Sequence, residues 1–143
     1  MSLVVDASVA LKWFLSEEPD ADRALAVVRD GVPLIAPDLV IAEVCNAAWR
    51  SARLGRISHA QMDEIASSLP RFFDGLVSAA TLAPRAVAIA SELDRPVYDC
   101  LYVALAEAEQ AALVTADAQL VGKVRATPWE QLTISVSEYD GLD

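Results

Sequence analysis

The chain has 143 residues, a formal net charge of −10 and 55% hydrophobic residues, so it suits one folded domain and not a disordered segment. Its apolar runs fall short of the ~18 residues that a membrane span needs, and Asp6 interrupts the apolar N-terminus where a signal peptide would continue. We therefore expect a cytoplasmic protein with a single domain over residues 1–143. The negative charge disfavours general electrostatic attraction to nucleic acid.

Short apolar runs alternate with amphipathic segments along the chain. In the first half the pattern predicts a strand, two helices, a strand and two helices, at residues 3–5, 8–15, 21–29, 34–36, 38–53 and 58–73. In the second half it predicts a strand, two helices, a strand, a helix and a strand, at residues 76–82, 84–93, 98–110, 112–115, 117–124 and 132–134. Short apolar strands separated by helices are typical of a parallel sheet covered on both faces. We predict an α/β fold, a three-layer α/β/α sandwich with a central, mostly parallel sheet.

Two carboxylates stand where predicted strands end. Asp6 directly follows the run Leu3-Val4-Val5, and Asp117 follows the strand that ends at Thr115. The carboxyl ends of parallel strands meet at one edge of a sheet, where ligands bind in this fold class. Both residues are also good helix N-caps, so capping is an alternative for each of them.

Two further carboxylates lie on helix faces that are otherwise uncharged. Glu43 has Leu39, Asn46 and Ala47 as helical neighbours, and Asp99 faces apolar residues at the start of its helix. A buried carboxylate is costly unless it is paired or binds a cation. Taken by itself, Asp99 is explained by a favourable interaction of its charge with the helix dipole. Glu43 is explained by an ion pair with an arginine.

Taken together, the four acids favour a shared site for Mg²⁺ or Mn²⁺, which prefer oxygen ligands and commonly serve phosphodiester cleavage. Ser8 and Thr115 lie two residues from Asp6 and Asp117 and could orient a carboxylate or a water. Four other acids stand in polar surroundings and are expected to be solvated: Asp20, Asp22, Glu107 and Glu109.

The segments VVDASVALKWF, APDLVIAEVCNAAWR, PVYDCLYVALAE and LVTADAQL occur in the order and spacing of the PIN domain. Over nearly its whole length the chain resembles a PIN-domain ribonuclease of the VapC toxin group. The resemblance implies a Mg²⁺- or Mn²⁺-dependent endoribonuclease, a homodimer and a small VapB-like antitoxin that covers the acidic cleft. It places Asp6, Glu43, Asp99 and Asp117 on the family's acidic quartet, with Asp6 and Asp99 closest to the metal, and Ser8 and Thr115 on its accessory hydroxyl positions.

The segment around Asp117 departs from the family pattern. It contains Ala116, Ala118 and Gln119, where many relatives have polar or basic residues. Substrate contacts from this segment are therefore in doubt. Cations elsewhere are the candidate contacts to RNA phosphates: Lys12, Arg50 and Arg53. The arginines are explained equally well as the solvated, dipole-favoured end of a helix.

Two other functions are compatible with the same residues. An RNase H-like nuclease also arrays several acids, although its opening antiparallel hairpin is not predicted here. A catalytically silent binding module would use the carboxylates only to cap helices and to attract a basic partner.

Overall fold

The computed structural model describes residues 1–141 and contains one five-stranded sheet. Its strands are β1 (Leu3–Val5), β2 (Leu34–Pro37), β3 (Gly75–Val77), β4 (Ala112–Thr115) and β5 (Thr133–Ser135). They lie in the order β3-β2-β1-β4-β5, and every pairing within the described residues is parallel. The predicted α/β fold with a parallel central sheet is confirmed, and the sheet lacks the antiparallel opening of an RNase H-like fold.

Seven α-helices connect these strands within the described residues. They are α1 (Ala7–Ala10), α2 (Ala21–Arg29), α3 (Leu39–Arg53), α4 (His59–Ser68), α5 (Ala79–Leu93), α6 (Val97–Glu109) and α7 (Ala118–Val124). Because crossovers between parallel strands are right-handed, the reversal of strand order after β3 places α1 to α4 on one face and α5 to α7 on the other. No helix within residues 1–141 combines the length and the apolar character needed to cross a membrane.

The core lies between the sheet and the helices on each face. β1 occupies the centre of the sheet, and Leu3, Val4 and Val5 are all buried, as expected for a strand with helices on both sides. Helix α6 contacts β1, β2 and β4, and its residues from Cys100 to Ala106 are buried on every side. A helix that is apolar all round belongs in the interior, so α6 is the central helix of its layer.

The structure corrects the predicted strand over residues 76–82. Only Gly75–Val77 forms a strand, and α5 already begins at Ala79. The run Ala79-Ala80-Thr81-Leu82 is apolar, as a buried strand would be, but alanine and leucine strongly favour helix. Pro84 was predicted to start this helix and instead lies inside it.

Two predicted roles of polar residues also change. Asp38 begins the helix predicted over residues 38–53, where an aspartate normally caps, but its side chain makes no capping hydrogen bond to α3. Its Oδ1 instead accepts a hydrogen bond from the Ala79 backbone N–H, 3.1 Å away, at the start of α5. Glu107 was expected to be solvated, but it accepts two hydrogen bonds from Arg85 and one from the indole N–H of Trp129. Both carboxylates therefore join elements that are distant in the sequence.

Candidate active site

The strand order places a topological switch point between β1 and β4. From β1 the chain moves outward through β2 to β3, whereas β4 lies on the other side of β1 and leads to β5. At such a point the loops that follow the two strands diverge and leave a crevice at their carboxyl ends. Asp6 follows β1 and Asp117 follows β4, so both predicted acids stand at the mouth of this crevice.

Asp6 is a buried carboxylate held by three neutral donors. Its Oδ1 accepts hydrogen bonds from the Ser8 hydroxyl at 2.5 Å and from the Val9 backbone N–H at 3.2 Å, while Oδ2 accepts one from the Thr115 hydroxyl. The side chain therefore caps α1, as the capping alternative predicted. The same contacts also fix its orientation at the crevice, so capping leaves a functional role open to Asp6.

Burial disfavours the charged form of Asp6. The pKa of this carboxyl is raised from 3.8 to about 6, mainly by burial and also by the nearby Glu43 carboxylate, although the hydrogen bonds from Ser8, Thr115 and Val9 lower it. Only 7% of the residue is exposed, and none of its hydrogen-bond donors is a cation. Asp6 thus lacks a compensating positive charge among the described residues.

The two accessory hydroxyls join the β1 and β4 sides of the crevice. The Thr115 hydroxyl donates to Asp6 and accepts from the Asp117 backbone N–H at 3.0 Å. The Ser8 hydroxyl donates to Asp6 and accepts from the Ala116 backbone N–H at 3.0 Å. A hydroxyl donates once and accepts at its lone pairs, so each one ties Asp6 to the loop after β4.

Asp117 and Asp99 share a cation that was not predicted. Asp117 caps α7 through Oδ1, and its Oδ2 accepts a hydrogen bond from Nη2 of Arg95 at 2.9 Å. The same Nη2 donates to Oδ2 of Asp99 at 2.5 Å, four residues further along the chain. Arg95 stands in the turn before α6 and is largely buried, with 14% of its side chain exposed. One guanidinium therefore compensates two of the four acids.

Glu43 lies on α3, on the face of the sheet opposite to α6, which carries Asp99. Its Oε1 accepts a hydrogen bond from the Tyr102 hydroxyl at 2.6 Å, and Tyr102 is a buried residue of α6. Burial raises the pKa of Glu43; the Tyr102 hydrogen bond lowers it, and the charge of Asp99 raises it again. The negative charge of Glu43 thus acts on Asp6, and that of Asp99 acts on Glu43.

The fit of these residues to a metal ion follows from the chemistry of the donors. As arranged in the described residues, no three acidic, cysteine or histidine side chains are grouped to hold a metal ion together. Hydrogen bonds nevertheless link three of the acids: Thr115 joins Asp6 to the backbone of Asp117, and Arg95 joins Asp117 to Asp99. Asp6 and Glu43 have only neutral hydrogen-bond donors. Carboxylate oxygens are the ligands that Mg²⁺ and Mn²⁺ prefer, so the donor set fits a hard divalent cation.

The three candidate RNA contacts lie outside this hydrogen-bonded network. Lys12 donates from Nζ to the carbonyl of Pro19 at 2.7 Å. Arg50 and Arg53 are exposed on α3, and the Arg53 guanidinium lies over the Trp49 ring, 5.5 Å from its centre. Within residues 1–141, none of the three donates a hydrogen bond to an acid of the quartet.

Arg95 and Tyr102 are the site residues that sequence reasoning missed. Arg95 lies between the helices predicted over residues 84–93 and 98–110, and its four-residue spacing to Asp99 is the spacing of an ion pair at the start of a helix. Tyr102 lies one helical turn after Asp99, on the helix face that was described as apolar. Its hydroxyl needs a partner when buried, and this requirement was the available signal.

Comparison with known proteins agrees with this geometry. Residues 3–124 match the PIN domain family. This chain belongs to the PIN domain family. The predicted family is therefore confirmed over most of the chain, and the four acids, the two hydroxyls, Arg95 and Tyr102 all fall within the matched residues.

Individual relatives extend the comparison. The chain is 36% identical over 127 residues to ribonuclease VapC3 of Pyrobaculum aerophilum, an alignment that covers 86% of this chain and 95% of that protein. The crystal structure of PAE2754 from the same organism matches with a TM-score of 0.71 and 26% identity, over 96% of this chain and 85% of the other.

Two more distant structures share the fold of this PIN domain. A toxin–antitoxin complex from Klebsiella pneumoniae matches with a TM-score of 0.66 and 18% identity, over 94% of this chain and 97% of the other. VapBC2 from Rickettsia felis, bound to a DNA fragment from its promoter, matches with a TM-score of 0.65 and 12% identity, over 94% and 98% of the two chains.

Proposed function

We propose that this PIN domain is an endoribonuclease of the VapC type, the toxin of a toxin–antitoxin pair, and that it forms a single domain over residues 1–143. The observation that supports the proposal is the hydrogen-bonded network at the switch point, in which Thr115 joins Asp6 to the loop after β4 and Arg95 joins Asp117 to Asp99. The 36% identity to a protein named ribonuclease VapC3 supports the same activity. RNA is the proposed substrate.

The proposed cofactor is Mg²⁺ or Mn²⁺, and the proposed catalytic and metal-binding residues are Asp6, Glu43, Asp99 and Asp117. When bound, such an ion supplies positive charge to the phosphate and makes a water molecule more acidic. The protein's own part is orientation: the hydroxyls of Ser8 and Thr115 fix Asp6, and Tyr102 fixes Glu43.

The RNA backbone must approach a chain of net charge −10. Arg50 and Arg53 support its approach, because both are exposed and lie on α3, the helix that carries Glu43. Arg50 follows Glu43 by seven residues and stands roughly 10 Å further along the helix. Lys12 is a weaker candidate, since its ammonium already donates to the carbonyl of Pro19.

The proposed protein partners are a small VapB-like antitoxin and a second copy of this chain, both in the cytoplasm. Exposed apolar side chains support protein contacts, and Trp49 and Leu54 on and next to α3 are 48% and 65% exposed. An apolar groove of about 370 Å³ between the segment after α1 and α4, lined by residues such as Phe14 and Ile57, supports a helical or extended partner segment.

The decisive experiment compares the wild-type protein with Asp6→Asn, measuring RNA cleavage and Mn²⁺ binding together. We expect the variant to lose both, with cleavage reduced by at least about 100-fold. Asp63→Asn is the matched control, because Asp63 is an exposed acid on α4 that lies outside the crevice. Unchanged cleavage in Asp6→Asn would contradict the assignment.

The silent binding module remains the competing function, because Asp6 and Asp117 do cap helices. Glu43 and Asp99 cap nothing: Glu43 lies in the second turn of α3, and within residues 1–141 the Asp99 side chain accepts a hydrogen bond only from Arg95. If the purified wild-type protein neither cleaves RNA nor binds Mn²⁺, the binding module is the better description.

A further inference from the structure

The exposed face of α3 contains no carboxylate. Its exposed residues follow the helical repeat and are Ala42, Asn46, Trp49, Arg50 and Arg53. We call this face the α3 stripe. The sequence has no acid from residue 44 to residue 62, although the whole chain has 21 Asp and Glu against only 11 Lys and Arg. The α3 stripe is therefore a basic surface on an acidic protein.

Trp49 differs from the other two tryptophans of the chain. Trp13 and Trp129 are buried, and each donates its indole N–H to an acceptor within the protein. Trp49 is 48% exposed, and within residues 1–141 its indole N–H has no acceptor. The exposed part of this ring is available to stack against another π-system.

The two arginines of the α3 stripe have free guanidinium groups. Within the described part of the chain, neither Arg50 nor Arg53 forms an ion pair or donates a side-chain hydrogen bond, whereas three other arginines are held by carboxylates. Arg53 lies over the Trp49 ring, 5.5 Å from its centre, and both arginines line a pocket of about 180 Å³ with Leu54. The helix dipole explains cations in the last turn of α3, but it does not explain the exposed tryptophan beside them.

The α3 stripe starts near the crevice. Helix α3 follows β2 at the carboxyl edge of the sheet, and Glu43 lies in its second turn. Trp49 and Arg50 follow Glu43 by six and seven residues, so they stand roughly 9 and 10 Å further along the helix. This distance corresponds to about three nucleotides of a stacked strand, at roughly 3.4 Å each. A strand with one phosphate at the crevice can therefore place its neighbouring nucleotides on the α3 stripe.

We propose that the α3 stripe binds single-stranded RNA next to the cleavage site, with Trp49 stacked on an unpaired base and Arg50 and Arg53 on the adjoining phosphates. This inference rests on the proposed ribonuclease function and specifies its substrate class. An aromatic side chain stacks on a base that is not already stacked within a duplex, so it selects single strands. An exposed tryptophan alone is also compatible with a protein contact. Unpaired arginines beside it, with no acid among them, match a polyanion and favour RNA.

The first test measures the affinity of metal-free protein for one labelled RNA strand, alone and paired with its complement, by fluorescence anisotropy in EDTA. Phosphate contacts alone would favour the duplex, which has the higher charge density. We expect the single strand to bind at least about 5-fold more tightly. Trp49→Ala should weaken single-strand binding by roughly 5- to 150-fold and remove the preference. Trp49→Phe keeps an aromatic face and should retain most of the affinity.

The salt dependence of binding tests the two arginines. Arg50→Gln and Arg53→Gln should each reduce the slope of log Kd against log salt by about 0.7, whereas Trp49→Ala should leave the slope unchanged. Arg71→Gln is the matched control for loss of a positive charge, because Arg71 is exposed and joins none of the ion pairs formed by the described residues. It should bind RNA as the wild type does.

Equal affinity of the wild type for both RNAs, no binding of either, or unchanged binding by Trp49→Ala would each overturn the inference. If Trp49→Ala changes the oligomeric state in light scattering and leaves RNA affinity unchanged, the α3 stripe is a protein interface instead. Cleavage of RNA by the wild type with Mn²⁺ would leave the ribonuclease function intact in each of these cases. Binding that depends on Trp49 without any cleavage would overturn the ribonuclease function and leave the α3 stripe as an RNA-binding surface.

Discussion

The buried charge of Asp6 makes a quantitative prediction for Asp6→Asn in the absence of metal. The carboxyl has a pKa of about 6 in the folded protein against 3.8 ordinarily, so above pH 6 its ionisation costs the folded state about 3 kcal/mol. Asparagine avoids this cost, but its NH₂ group must replace one of the two oxygens and then faces a donor, Ser8 at Oδ1 or Thr115 at Oδ2. We therefore expect Asp6→Asn to be more stable than the wild type by about 1–3 kcal/mol at neutral pH. Each kcal/mol should raise Tm by roughly 2–4 °C.

The pH dependence distinguishes this origin from a packing effect. Between pH 4 and 6 the folded protein binds more protons at Asp6 than the unfolded chain does, so the wild type loses stability as the pH rises through this window. Thermal unfolding of both proteins in EDTA should show the advantage of Asp6→Asn at pH 8 and its disappearance near pH 4. Asp63→Asn, on the exposed face of α4, should change little at either pH. A variant less stable than wild type at pH 8 would refute the reasoning.

Three further variants test the remaining contacts. Thr115→Val removes the donor to Asp6 and the acceptor of the Asp117 N–H, and should lower the free energy of unfolding in urea by about 1–3 kcal/mol, with Thr115→Ser closer to wild type. Tyr102→Phe removes the hydrogen bond that lowers the pKa of Glu43. The acid limb of the pH–rate profile for RNA cleavage should therefore move to higher pH. If the limb does not move, Glu43 is not the group whose ionisation produces it. Leu113→Ala leaves a cavity next to β4 and should lower the free energy of unfolding in urea by about 2–5 kcal/mol. A smaller loss would mean that neighbouring core side chains fill the cavity.

The elements with a clear apolar pattern were predictable from the sequence. The strands at Leu3–Val5 and Ala112–Thr115 are short, and all of their residues except the half-buried Ala112 are buried. Their apolar runs identified both strands and their parallel pairing. The error at residues 76–82 has a local cause, since a run of alanine, leucine and threonine is apolar in either conformation. The high helix propensity of alanine and leucine was the local signal for a helix after Val77, and α5 is held in place by packing against α6.

For the site, the sequence determined which carboxylates are unusual, because a lone acid on an apolar helix face or at a strand end is visible in the residue order. Only the tertiary structure decided how their charges are compensated. Arg95 reaches Asp117 across 22 residues, and Tyr102 reaches Glu43 across 59. Hydrogen bonds and ion pairs act over a few ångströms, so partners so far apart in the sequence become known only when the parallel sheet brings the ends of its strands to one edge.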